Sequence, residues 1–202
     1  HIARSVGFAK RDEAERWCML LHDIGKPSTF SFSDGKGHFY GHAKVSADMS
    51  AAVFARLKFP TALKKEVAFL IENHGYPLKN DEKFIKRTMF KFGDKAFFKI
   101  LDVHEADNRA QGTTLSENER KLVEEVRKTA EKIVNSGECY SYSGLKINGS
   151  DLIAIGFKGE EVGSTLNKIL IDVIEGKTTD DRDILLKKAA KMYERKEARK
   201  RR

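Results

Sequence analysis

Apolar residues recur at the three- and four-residue spacing of helices along nearly the whole chain. Between Arg11 and Asp23, Ala14, Trp17, Cys18, Leu20 and Leu21 fall on one face, and the pattern stops at Gly25 and Pro27. Residues 27–41 hold three glycines and no periodicity, which predicts an irregular loop. Helices are predicted at 42–57, 61–74, 81–92 and 94–112, the third opening behind Asn80 as N-cap. Ser116 and Glu119 have the spacing of a capping box for a helix running to Asn135. The stretch 136–149, with Gly137, Gly144 and Gly149, reads as a linker. A short helix after Ser150 and longer ones at 160–175 and 180–198 complete the chain. In the first long one, Val162, Leu166, Ile169, Leu170, Val173 and Ile174 make a continuous apolar stripe. The predicted fold is all-α, with one unit at 1–135, the linker at 136–149 and a helical module at 150–202. There is no internal repeat.

Composition narrows the class. A chain of 202 residues, 40% hydrophobic and 34% charged, can bury a sizeable helical core. No apolar run approaches the length of a membrane span, and mean hydropathy is −0.51. Cys18 and Cys139 stand in unrelated contexts, which argues against a disulfide framework or a cysteine-based zinc site and favours a reducing, cytoplasmic compartment. The first residue is His1, not Met, and no signal-peptide pattern follows it, so a fragment of a longer protein is expected.

The positive charge is concentrated. From Lys187 to Arg202 there are nine Lys or Arg against two Glu, which accounts for +7 of the net +8. Such a helix can neutralise several phosphates of a nucleic acid. It can equally be a solvated helix end, where basic side chains suit the dipole.

The strongest chemical pattern is the adjacent pair His22-Asp23, at the end of an apolar helix in Leu-Leu-His-Asp-Ile-Gly-Lys-Pro. Neighbours in sequence do not share a helical face, but at a helix end both can enter one cleft. His1 lies upstream, and His42, His74 and Asp107 lie downstream on predicted helices. Imidazole with carboxylate suits divalent Mg, Mn, Fe, Co, Ni or Zn. A single buried histidine is more often a satisfied core residue than a ligand, but a core has no use for consecutive His and Asp facing inward. His38, in the glycine-rich loop, and His104, three residues before Asp107, fit surface or supporting roles.

These residues resemble the HD superfamily of metal-dependent phosphohydrolases, whose ligand pattern is a His, then His-Asp, then a distant Asp. The resemblance implies an HD helical bundle in which His1, His22, Asp23 and Asp107 hold a metal. It implies that His42 and His74 are the extra histidines of two-metal members, with Asp23 bridging the ions. Lys26 is similar to the basic residue that meets the substrate phosphate in several members, which makes His22, Asp23 and Lys26 the implied catalytic residues. The implied chemistry is attack on a phosphate ester by a metal-acidified water.

Two longer stretches narrow the resemblance. His22 to Pro27, continued through Gly37-His-Phe-Tyr-Gly-His-Ala-Lys-Val-Ser-Ala47, resembles the HD segment of bacterial CCA-adding enzymes, the tRNA nucleotidyltransferase/poly(A) polymerase family. Ile147-Asn-Gly-Ser-Asp-Leu-Ile-Ala-Ile-Gly-Phe157, with Leu166 to Leu170 and Val173 to Lys177, resembles that family's C-terminal module. The nucleotidyltransferase head of that family, with its Gly-Ser and Asp-x-Asp motifs, has no counterpart here. The resemblance therefore implies the C-terminal portion of such an enzyme, unable to add CCA by itself. It implies tRNA as partner, held by phosphate contacts from Lys187, Lys188, Lys191, Arg195 and Lys196, and a nucleotide or RNA phosphate ester as HD substrate. Two other readings stand beside it: a stand-alone HD phosphohydrolase acting on nucleotides or cyclic nucleotides, and a binding module whose HD residues serve packing alone.

Overall fold

The computed structural model describes residues 1–200; Arg201 and Arg202, which end the basic stretch, and the side chains of Thr114, Leu115 and Lys200 lie outside the described residues. In chain order the elements are α1 (Ile2–Phe8), α2 (Glu13–Leu21), α3 (Lys26–Thr29), β1 (Ser31–Ser33), β2 (Lys36–His38), α4 (His42–Arg56) and α5 (Thr61–Asn73). They continue with α6 (Glu82–Phe92), α7 (Asp94–Gln111), α8 (Thr114–Ser136), α9 (Gly149–Ile155), α10 (Glu160–Ile174) and α11 (Arg182–Lys200). The fold is all-α, as the periodicity predicts; the strands form one small hairpin.

Packing divides the chain into two units, His1–Lys79 with Asp94–Arg127, and Asn80–Gly93 with Lys128–Arg202. In the first, α2 packs on α1, α5 and α7, and α4 packs on α5. Its core holds Met19, Phe54, Leu70, Ile71, Phe97, Ile100 and Leu101, all fully buried. The helices follow from their apolar stripes. Asp12 caps α2 by accepting a hydrogen bond from the Glu15 amide at 3.1 Å, and Ala14, Cys18 and Met19 carry its buried face.

The second unit packs α9, α10 and α11 together, with α6 against α10. Leu152, Ile169, Leu170, Leu185 and Ala189 form its core, and Phe90 of α6 packs on it. Residues 136–149, expected as a linker, are part of this unit: Cys139, Leu145 and Ile147 are buried in the same core. Glycines break the helical period there, but the apolar residues between them still bury their surface. Both cysteines are buried free thiols. No helix among the described residues is long and apolar enough to cross a membrane.

Four local expectations are corrected. Residues 27–41 are not irregular: α3 is followed by an antiparallel hairpin pairing Ser31 with His38 and Ser33 with Lys36. Asp34 and Gly35 both take positive φ, 53° and 73°, which is the turn that Asp-Gly favours between two strands. The N-cap of α6 is Asp81, which accepts from the Phe84 amide at 2.7 Å, and not Asn80. Helix α8 starts earlier than the Ser116–Glu119 box predicts, because Thr113 and Ser116 cap each other: Ser116 Oγ accepts from the Thr113 amide at 2.9 Å, and Thr113 Oγ1 from the Ser116 amide at 3.2 Å. Helix α9 opens behind Asn148 in a reciprocal box with Asp151. The sequence reading also lacked α1, whose N-cap is His1.

Candidate functional site

The histidines and aspartates singled out in the sequence converge in the first unit, and local helix geometry explains how. His22 is the C-cap of α2 and extends the stripe of Ala14 and Cys18 by one more turn. His74 is the C-cap of α5, four residues beyond Leu70. His42 opens α4 one turn before the buried Ser46 and Ser50. Asp107 lies on α7 one turn beyond the buried Val103. Each of these four candidate ligands is thus the terminal or inward position of a helix face that is buried further along.

His1 Nε2 lies 2.8 Å from Asp107 Oδ1 and 3.4 Å from His22 Nε2. His22 Nε2 is 3.3 Å from Asp107 Oδ1 and 3.4 Å from Asp23 Oδ2. The other oxygen of Asp23, Oδ1, is 3.7 Å from His42 Nε2, which is 3.3 Å from His74 Nε2. Two groups result, His1 with His22 and Asp23, and Asp23 with His42 and His74; within each, the donor atoms lie within 4.8 Å of one another. Asp23 is common to both and turns a different oxygen to each.

Protonation follows from the backbone. The Nδ1 atoms of His22, His42 and His74 stand 3.0, 2.8 and 2.7 Å from the carbonyl oxygens of Met19, Phe39 and Ile71. A carbonyl only accepts, so each Nδ1 is the donor to it, and it is Nε2 of each ring that faces the cluster. Asp23 Oδ1 and Asp107 Oδ1 are buried and receive no hydrogen bond. Buried lone pairs without donors are costly unless a cation meets them. The donor set fits a divalent ion, two imidazoles or more with carboxylate oxygen.

Electrostatics point the same way. Burial raises the Asp107 carboxyl, but the His22 ring and the Gln111 amide beside it outweigh burial and hold it below its ordinary value. Burial lowers His74, helped by His22 and His42. His104 faces the same cavity and is pushed down to about 4 by burial and by His74. All three groups therefore keep the protonation state of a metal ligand or neutral neighbour at pH 7. Lys26 stands at the mouth, its Nζ 2.7 Å from Asp23 Oδ2 and 5.7 Å from the centre of the Phe39 ring.

Two residues that build the site escaped the sequence reading. The Gly25 amide donates to Ser46 Oγ at 2.9 Å, and a Cβ on Gly25 would lie 2.8 Å from both the His42 carbonyl oxygen and the Ser46 nitrogen. Only glycine lets the turn after His22-Asp23 reach the start of α4. Gln111 donates to Asp107 Oδ2 at 2.9 Å and fixes that carboxylate. The glycine directly after His-Asp-Ile was the available signal for the first; a polar residue one helical turn beyond Asp107 was that for the second.

In the second unit the basic residues divide. Lys187, Lys191 and Arg195 fall on one face of α11 and line a groove with Lys168, Asp172, Thr178 and Lys188; none of the three forms an ion pair among the described residues. Lys188 instead pairs with Asp172 at 2.7 Å. Lys196 pairs with Glu161 and lies over the Phe157 and Tyr193 rings.

A family model described as tRNA nucleotidyltransferase domain 2 matches residues 39–189, about three-quarters of the chain. The chain belongs to that family. Among curated proteins, the A-adding tRNA nucleotidyltransferase of Deinococcus radiodurans is 39% identical over 89 residues, covering 42% of this chain and 20% of that protein. The CC-adding tRNA nucleotidyltransferase of Thermus thermophilus is 35% identical over 81 residues, covering 39% and 19%. The Multifunctional CCA protein of Aromatoleum aromaticum is 42% identical over 62 residues, covering 31% and 15%. The matched segments span a fifth or less of these relatives' length. No solved structure matches. Membership of the tRNA nucleotidyltransferase family agrees with the resemblance carried by the segments at 22–47 and 147–177.

Proposed function

We propose that this chain serves tRNA 3′-end synthesis or repair as the HD and tRNA-gripping part of a CCA-adding enzyme, and that its His/Asp cluster is a divalent-metal phosphohydrolase site. The observation that supports the hydrolase reading is the convergence of the His1, His22, His42 and His74 Nε2 atoms on Asp23 and Asp107, three of the rings oriented by backbone carbonyls and two buried carboxylate oxygens without a donor. His1, His22, Asp23 and Asp107 would hold one ion, and His42 and His74 a second, with Asp23 shared. A bound ion supplies an acidified water and draws charge from the phosphoryl oxygen. The chain's own part is to orient and neutralise. Lys26, paired with Asp23 and partly exposed at the mouth, offsets negative charge on a phosphate ester. Gln111 holds Asp107, and the three carbonyls of Met19, Phe39 and Ile71 hold the imidazoles.

The tRNA reading rests on the family and on the unpaired cations of α11. Lys187, Lys191 and Arg195, with Lys168 beside them, are suited to successive phosphates of an RNA duplex, which is gripped by its backbone and shape. Lys188 and Lys196 contribute less, since carboxylates already neutralise them.

The deciding experiment is calorimetric titration of Mn²⁺ into the chain and its Asp23→Ala variant, with hydrolysis of 2′,3′-cyclic AMP followed in parallel. The wild type is expected to bind one or two ions, and Asp23→Ala to lose metal and hydrolysis together while keeping its affinity for tRNA. Equal metal binding in both proteins would sink the metal-site reading.

A further inference from the structure

The hairpin after α3 exposes more aromatic surface than folding requires. Phe32 is 70% exposed and Tyr40 76%. His38 and Tyr40 are stacked on each other, ring centres 5.0 Å apart and planes within 8°. Behind them the structure is fixed: Phe30 packs on Phe39 with centres 5.5 Å apart, and it crosses β2 so closely that a Cβ on Gly37 would lie 2.8 Å from its ring. Tyr40 is anchored on both sides, by this braced strand and by Gly41, which turns at φ 79° into His42.

These rings are continuous with the candidate centre. One open groove is lined by His38, Phe39 and Tyr40 together with Lys26, His42 and His74. Its volume, about 660 Å³, lies within the range of small-ligand sites. A phosphate beside Lys26 and His42 leaves its neighbouring group over the rings. The exposed Tyr40 ring, backed by the His38 ring stacked on it, presents a flat face on which a nucleobase stacks. The platform offers ring faces, which grip a base without regard to its identity. That favours an unpaired base at the end of a strand, gripped without regard to sequence, over a mononucleotide read by its edges.

We propose that His38 and Tyr40 form a stacking platform for the terminal base of a single-stranded RNA end, whose phosphate lies beside Lys26 and His42 in the groove. This names a substrate class for the hydrolase site and rests on that reading for the place of the phosphate. The stacking itself is read independently of metal and of hydrolysis.

The test is fluorescence titration of the full chain with an RNA tetranucleotide carrying 2-aminopurine at its 3′ end, in metal-free buffer and again with Mg²⁺. Stacking quenches the terminal base, so emission falls on binding to wild type. Tyr40→Ala, at a solvent-exposed position, is expected to weaken binding roughly 5- to 150-fold, the range for loss of one base–aromatic stack. Tyr40→Phe retains the ring and binds as wild type. The same tetranucleotide with an abasic 3′ residue, reporting through 2-aminopurine at its 5′ end, binds wild type and Tyr40→Ala alike. Unchanged emission of the 3′-terminal base on saturation, or equal affinity of Tyr40→Ala and wild type, overturns the platform. Quenching by free 2-aminopurine ribonucleotide as strong as by the tetranucleotide overturns the strand-end assignment. If the platform holds and metal binding is absent, only the hydrolase reading fails.

Discussion

The His/Asp centre of the first unit and the basic groove of the second both concentrate charge, yet they hold it in different ways. In the centre, His22 and His74 are buried, each ring is tied to a carbonyl one turn back, and two carboxylate oxygens lack donors. In the groove, Lys187, Lys191 and Arg195 extend from one helix face with no acidic partner among the described residues. The difference teaches what each can do. A buried, pre-oriented set acts as a unit and fails when one member moves. A row of exposed cations acts by addition, each contributing its own share of counterion release.

That contrast can be broken at its most sensitive point, the close approach at Gly25. Gly25→Ala forces a Cβ against the backbone of His42 and Ser46. It should destabilise the chain by about 1–3 kcal/mol in urea unfolding, and weaken Mn²⁺ binding by about 10- to 100-fold as Asp23 and His42 separate. tRNA affinity should not change. A Gly25→Ala protein with wild-type metal affinity would show that the centre does not depend on this approach.

A smaller effect is expected at Glu15, buried in the first unit with Oε2 unpartnered. Burial first, then Asp102 and Asp12, push its carboxyl up to about 7 from an ordinary 4.5. The folded state therefore binds more protons than the unfolded one between those values, and the stability Glu15 supplies is lost as pH rises through about 7. Glu15→Gln removes that loss but brings an amide needing partners, a cost of about 1–3 kcal/mol against a ceiling of about 3 kcal/mol. The expected net gain is about 1 kcal/mol at pH 8, turning into a net loss of about 1–3 kcal/mol below pH 4.5, measured by urea unfolding across that range. A gain that does not vary with pH would remove the titration account.

The groove sharpens the comparison from the other side, with graded losses. Lys187→Ala, Lys191→Ala and Arg195→Ala together should lower the slope of log affinity for tRNA against log salt by about 2–3. Lys188→Ala with Lys196→Ala should lower it by less than about 1, because those two are already paired. Filter binding of tRNA over a salt series reads both. Equal slopes for the triple and double variants would mean that the ion pairs do not set the ranking. None of these changes should alter metal binding.

Much of the fold was legible because helix periodicity is a local property. Helices α4, α5, α6 and α7 end within two residues of the predicted limits, and His22, His42, His74 and Asp107 sit where buried stripes run out. What escaped was short or non-periodic. The hairpin at 31–38 has strands of three residues, too brief for alternation to register, although Asp34-Gly35 announced the turn. The segment 136–149 was misjudged because its glycines are frequent and its apolar residues sparse, yet Leu145 and Ile147 are core.

By itself the sequence determined an all-helical chain, a set of six His and Asp residues of metal-binding type, and a C-terminal concentration of positive charge. Residue identity and spacing suffice for these, since helix formation and charge depend on neighbours in the chain. The tertiary structure alone decided that residues 1, 22, 23, 42, 74 and 107 meet, which nitrogen of His22, His42 and His74 faces the cluster, and that Asp23 faces two ways. It also decided which basic side chains stay unpaired. Those properties arise where helices distant in sequence pack together, and a glycine with no side chain, Gly25, sets how closely two of the segments approach.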